Sequence, residues 1–144
     1  MPEFFAPMTM AAVAVMAVND HALKVHCPSW LTGKLSDVAI CFFLPLLLSA
    51  AMGVAWPRMI RARLLAAAVM TMALFTSLEM SDVAGDWFCR LMPVVARAVG
   101  AGFTCHLTRD ASDLGCLVMI PLAYFYALSR FRDERSLLPL ESCR

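Results

Sequence analysis

Five carboxylates, Asp20, Asp37, Glu79, Asp82 and Asp113, stand at the ends of long apolar stretches of this sequence, and two cations are spaced to meet them. Lys34 precedes Asp37 by three residues and Arg109 precedes Asp113 by four, so on a helix each cation shares a face with its acid. Glu79 and Asp82 are likewise three apart. Carboxylates beside cations can do three kinds of work: form a structural ion-pair layer, bind a lipid headgroup, cation or partner protein, or act as general acid and base. The last needs a nucleophile or a metal. The sequence carries no His-Glu-x-x-His, no Gly-x-Ser-x-Gly and no glycine-rich phosphate loop. No catalytic residue and no cofactor is assigned, and a membrane enzyme acting on a lipid-linked substrate ranks last among the readings.

Two further groups invite chemistry. His26-Cys27 and Cys105-His106 together offer two thiols and two imidazoles. Adjacent residues seldom both coordinate one ion and the Cys-x-x-Cys spacing is absent, so no metal site is assigned. A disulfide suits these thiols better, if they face an oxidising compartment. Cys27, Cys89 and Cys105 are the candidates; their odd number leaves one thiol over, or paired between chains. Cys89 with Cys105 would close the longer of two loops, while Cys143 is expected on the reducing side.

The elements that must position these groups are hydrophobic helices. Of the 144 residues 61% are apolar and 16% charged, with a mean hydropathy of +0.72. Soluble domains carry about 25% charged residues, so much of this surface must meet lipid instead of water. The net charge of +1 gives no footprint for nucleic acid. Uncharged runs cover Phe4 to Val18, Val38 to Trp56, Leu64 to Leu78 and Leu114 to Leu128. A membrane span needs roughly 20 residues, fewer when flanking side chains snorkel. The spacing predicts an all-α, polytopic bundle of four transmembrane helices, over 4–22, 38–56, 64–81 and 113–131, in a single membrane domain with a short tail at 132–144. Met1-Pro2-Glu3 has the wrong charge for a signal-peptide leader.

Orientation follows from the cations. Arg58, Arg61 and Arg63 crowd the short link between the second and third spans, and Arg130, Arg132, Arg135 and Arg144 lie at the end of the fourth and in the tail after it. Lys24, Lys34, Arg90, Arg97 and Arg109 are spread over two longer loops on the other side. The expectation is a multi-pass protein of a bacterial inner membrane with both termini cytoplasmic. Trp30, Trp56 and Trp87 fall at the span boundaries, where aromatic rings anchor to the interface. Val83 to Val99 mixes apolar residues with Asp86, Arg90 and Arg97; it suits a helix lying in the interface or, interrupted by Pro93, two short turns.

The chain also matches itself. Leu31-Thr32-x-x-x-Ser36-Asp37 corresponds to Leu107-Thr108-x-x-x-Ser112-Asp113 at an offset of 76, and Pro45-Leu46 to Pro121-Leu122 at the same offset. Met8-Thr9-Met10-Ala11 corresponds to Met70-Thr71-Met72-Ala73 at an offset of 62, which also pairs Asp20 with Asp82. The pattern predicts two related helical hairpins in parallel orientation, an internal repeat of the kind used by some transporters. Convergent capping chemistry at helix entries is the alternative.

In this layout the chain resembles the VanZ-like family of small four-helix membrane proteins. The likeness is carried by the Gly33-Lys34-Leu35-Ser36-Asp37 stretch before Phe42-Phe43 (or by Asp20), by Ser77-Leu78-Glu79 at the end of the third helix, and by Arg109-Asp110-Ala111-Ser112-Asp113 entering the fourth. The family's Asn and Gly after the last Asp are replaced near Leu117 and Ile120, its Gln after the Glu is absent, and the outer loop is longer. The resemblance implies association with the cell envelope, and glycopeptide tolerance in one member, without a settled activity.

The functional expectation is a non-enzymatic envelope protein whose outer carboxylate layer binds a lipid headgroup, cation or partner. An ion or small-solute transporter or channel, requiring oligomerisation, is the alternative. The expected partners are membrane lipids, further copies of the chain or a larger membrane complex, and not nucleic acid. Expressed in cells, the full chain should stay in the membrane pellet through alkaline carbonate washing and enter the supernatant only with detergent. Release by carbonate alone would contradict the reading of its apolar runs as spans.

Overall fold

The structure, a computed structural model, describes residues 6–23, 26, 29–98, 100, 105 and 110–137. Among them all regular structure is helical. Helix α1 runs Pro7–Val18 and continues as one π-helical turn, Asn19–Leu23. Next come α2 (Trp30–Ala55), α3 (Ile60–Met80) and α4 (Asp82–Ala98). A 3₁₀ segment, Ala111–Val118, leads into α5 (Met119–Leu137).

Three of these are long and apolar enough to cross a membrane: Trp30–Ala55, Ile60–Met80 and Ala111–Arg132. This makes the chain an integral membrane protein by the length and composition of its helices. The helix starting at Pro7 ends at Leu23, roughly 25 Å at 1.5 Å per residue, slightly less than the ~30 Å hydrocarbon layer. Helix α2 has 26 residues, or about 39 Å, so its ends reach past the hydrocarbon.

The boundaries shift from those expected, for local reasons. Helix α2 starts eight residues before Val38, because Ser29 and Thr32 form a capping box: the Ser29 hydroxyl accepts from Thr32 N–H (3.3 Å) and Thr32 Oγ1 accepts from Ser29 N–H (3.1 Å). The Leu31–Asp37 motif therefore lies inside a helix. Of its counterpart, the residues from Ala111 to Asp113 are wound as 3₁₀ helix instead, opened by Asp110, whose carbonyl accepts from Asp113 N–H (2.8 Å) and whose carboxylate accepts from Ser112 N–H (2.9 Å). Pro121 stands in the first turn of α5, where a missing N–H is tolerated. Residues 82–98 form one helix, not two turns, with Pro93 inside it. Val83, Trp87, Leu91 and Val94 make an exposed apolar stripe along α4 at helical spacing, beside Asp82, Asp86, Arg90 and Arg97.

The chain divides into two compact units, 1–72 with 116–144, and 73–115. In the first unit α2 is central and packs against both α1 and α5. Its core gathers Phe42 and Leu46 of α2, Leu64 of α3, and Ala123 and Ala127 of α5. Tyr126 on α5 packs its ring 5.9 Å from that of Phe42, and its hydroxyl accepts a long hydrogen bond from Met8 N–H (3.4 Å) in the first turn of α1. Pro7 at the helix start needs no such partner.

What is buried in this unit is mostly small or polar: Ala39, Ala50, Ala67, Ala68, Ala123 and Ala127, with Thr9, Ser49 and Thr71. Large apolar side chains point outward instead; Leu65, Val69, Leu122 and Phe125 are all more than half exposed. In lipid no hydrophobic gain comes from hiding a leucine, so small residues that let backbones approach closely line the contacts. Gly53 shows the same constraint at α2 and α3. A Cβ there would stand 2.5 Å from Nη1 of Arg63, which is itself 7% exposed and donates to Ser49 Oγ (3.3 Å) and the Trp56 carbonyl (3.4 Å).

Enlarging a buried alanine should therefore harm the fold while enlarging an outward residue should not. Ala123→Leu is expected to lower unfolding stability in detergent by about 1–3 kcal/mol, and Val69→Leu to change it by less than about 0.5 kcal/mol. Equal effects from the two, read by thermal unfolding, would mean that the inward and outward faces are wrongly assigned.

Candidate functional site

The polar residues cluster at two places, one in each unit. In the first unit the π turn at the end of α1 does the positioning. A π turn holds one residue more than an α turn and rotates the residues beyond it, a device common at functional sites. Here Asn19 is wholly buried against α2. Its Nδ2 donates to the Thr32 carbonyl (2.6 Å) and to Ser36 Oγ (2.8 Å). Ser36 Oγ in turn donates to Asp20 Oδ1 (2.7 Å). A chain of hydrogen bonds thus joins Asn19, Ser36 and Asp20 across the α1–α2 contact, with Asp20 itself exposed.

One atom of this chain stands out. Asn19 Oδ1 is buried and has no hydrogen-bond partner among the described residues. The amide cannot be reversed to remove the problem, because the Thr32 carbonyl can only accept and so requires Nδ2. A buried acceptor left without a donor costs about 1–3 kcal/mol. It sits on the carbon that carries Nδ2, hence within about 5 Å of Ser36 Oγ, given the 2.8 Å bond between them.

The neighbouring α2 residues carry the other expected groups. Lys34 holds its ammonium 4.7 Å from the centroid of the Trp30 ring, a cation–π contact at the helix entry. Asp37 comes one residue after Ser36, half-buried on α2. Asp20, Lys34 and Asp37 all belong to the first unit.

The second cluster lies in the unit 73–115. Glu79, in the last turn of α3, accepts the Asp110 N–H on Oε2 (3.1 Å). Asp110 then turns the chain into the 3₁₀ segment, where Asp113 is 7% exposed. Asp82 begins α4 and is exposed, with Ser81 as the cap: its hydroxyl accepts from Ala84 N–H (3.3 Å). Arg109, expected to neutralise Asp113, lies outside the described residues, as do Cys27, His106 and Cys143. Cys89 and Cys105 are joined by a disulfide, with their Cα atoms 5.2 Å apart, which ties the middle of α4 to the segment before Asp110. Cys41 and Cys116 are buried thiols in the transmembrane helices.

Three residues of these clusters were not among the candidates read from sequence: Asn19, Ser36 and Asp110. Asn19 carried a usable signal, since an asparagine closing an apolar run has to satisfy its amide within the bundle. Asp110 carried another, being a cap residue immediately before the repeated Ser-Asp. Ser36 gave none beyond its place in the motif.

Two thiols should remain unreactive until reduction. In detergent-solubilised, denatured protein, maleimide labelling is expected to rise by two sites when reductant is added first, and Cys89→Ser should abolish that increase. An unchanged count would show that Cys89 and Cys105 are not bonded to each other.

No protein-family model matches this sequence, and no curated protein and no solved structure matches it either.

Proposed function

We propose that the chain is a non-enzymatic membrane protein of the cell envelope that binds a cationic, hydrogen-bond-donating group at the α1–α2 polar junction. The group is an ammonium-type headgroup, or a small cation whose hydrating water would donate in its place. The observation that carries this reading is Asn19 Oδ1, a buried acceptor without a donor, in a junction that also presents the Asp20 carboxylate through Ser36. A ligand with a positive charge and N–H groups would satisfy the orphan acceptor and meet the carboxylate together.

The same proposal includes the finer architecture. The helix beginning at Pro7 serves as a fourth, short span; the two hairpins arise from one duplicated unit; both termini and the Arg58–Arg63 link face the cytoplasm; the layout is that of a VanZ-like protein. Burial supports the duplication at one pair: Thr9 and Thr71, matched in the repeat, are both almost fully buried. It does not extend to Leu46 and Leu122, the first wholly buried and the second 52% exposed. In this topology α4, with its apolar stripe and Trp87, lies along the outer interface.

The test is ligand-dependent stability of the purified chain. Sodium, magnesium and phosphatidylethanolamine are added separately, and thermal unfolding is followed. A ligand at 100 times its dissociation constant stabilises by about 2.7 kcal/mol. At least one probe should raise the unfolding temperature of wild type, and Asp20→Asn or Asn19→Leu should remove that rise without unfolding the chain. Loss of fold in both variants, or a rise that survives in both, would assign the junction to structure alone.

A further inference from the structure

A second site is built at the opposite end of α2 from the Asn19 junction. The turn after α2, the start of α3 and the middle turns of α5 enclose an open groove of about 930 Å³, wholly within the unit 1–72 with 116–144. Arg58, Arg61 and Arg132 line it, with Met59, Phe125 and Ser129 among the other walls, and none of the side chains described along it is acidic. The chain as a whole carries a net charge of only +1, so this concentration of cations is local. Among the side chains the structure describes, which on α5 end at Arg132, no carboxylate pairs with any of the three guanidiniums.

The backbone adds to the charge. The first bond of α3 runs from Arg63 N–H to the Met59 carbonyl (2.9 Å), so the amides of Ile60, Arg61 and Ala62 have no acceptor within the helix. These residues also line the groove. Free amides at a helix start and guanidiniums beside them are both well suited to bind a phosphate.

The walls say which phosphate. Phe125, Leu128, Ser129 and Arg132 lie three, four and seven residues apart along one face of α5. Phe125, 65% exposed, lies within a membrane-crossing helix, and Met59, 63% exposed, stands in the turn immediately before another. From Phe125 to Arg132 the face climbs about 10 Å, the distance from acyl chain to headgroup, and turns from aromatic to cationic on the way. A soluble phosphate has no use for an exposed phenyl ring below its site.

We propose that this groove binds an anionic phospholipid, with its phosphodiester on Arg58, Arg61 and Arg132 at the α3 amides and its glycerol-proximal acyl chain against Phe125 and Met59. The site is independent of the cation-binding junction at Asn19 and of which side of the membrane the groove faces.

The test uses the full chain in nanodiscs containing equal amounts of phosphatidylglycerol and phosphatidylcholine. Lipid retained after transfer into detergent is counted by native mass spectrometry. Wild type should retain phosphatidylglycerol over phosphatidylcholine by about tenfold or more, given the usual contribution of each cation near an anionic lipid. Arg58→Gln with Arg61→Gln and Arg132→Gln should abolish that preference, while the three corresponding Lys substitutions keep most of it. Arg90→Gln with Arg97→Gln on α4 should leave it unchanged. Inorganic phosphate at millimolar concentration should not displace the retained lipid. A wild-type ratio near one, a preference that survives the triple Gln variant while it stays folded, or displacement by inorganic phosphate would each overturn the proposal. If the triple Gln variant does not fold, the triple Lys variant decides: loss of preference there, in folded protein, would also overturn it.

Discussion

Lipid, in place of water, is the solvent this fold requires, and the distribution of side chains follows from that constraint. In water the outward leucines, valines and phenylalanines of α3 and α5 would be a large exposed apolar surface, and the alanines between helices a poor core. In a bilayer the balance reverses. Hiding a large apolar side chain gains nothing from transfer, so close packing and hydrogen bonds between helices hold the bundle. Ala67, Ala123 and Ala127 let backbones approach, and the larger Phe42, Leu46 and Leu64 fill the single layer where the helices of the first unit converge.

The same solvent makes every polar group inside the bundle consequential. Thr71 returns its hydroxyl to the Ala67 carbonyl of its own helix (2.9 Å), which costs little and commits to no partner. Arg63 commits its guanidinium to Ser49 and the end of α2, and Gly53 leaves the space that admits it. Asn19 is different. Two of its hydrogen bonds fix the register of α1 on α2, but its carbonyl oxygen is left over. Structural polar groups in a membrane end satisfied; one that does not is where a ligand has most to offer.

The helical class and three of the four expected membrane-crossing stretches were legible because composition and the length of apolar runs report directly on transfer into lipid. Boundaries were less legible. Ser29 and Thr32 extend α2 well before its apolar run, since a capping box acts through two side chains and leaves hydropathy unmoved. The 3₁₀ winding from Ala111 was hidden for a similar reason: it depends on Asp110 bonding two amides, and the identical Leu-Thr-x-x-x-Ser-Asp pattern is α-helical in its first copy. Of the candidate site, Asp20, Lys34, Asp37, Glu79, Asp82 and Asp113 could be seen as charges flanking the apolar runs, although Lys34 and Asp37 stand inside α2 and not at its end. The residue that organises the first cluster, Asn19, showed in the sequence only as an amide in need of partners; which partners it meets was hidden, because a π turn decides where it points and no hydrophobic period encodes that turn.

Both proposed sites presuppose that the outward faces of α3 and α5 meet acyl chains. The most direct measurement is nitroxide accessibility in liposomes, with a spin label placed singly at position 69, 122 or 125 and, for comparison, at position 58. Labels replacing Val69, Leu122 and Phe125 should collide freely with oxygen and hardly at all with a water-soluble nickel chelate, and the label replacing Arg58 should show the reverse. Strong collision of the nickel chelate with the label at 69 or 122 would place those faces in water and contradict the account at its root.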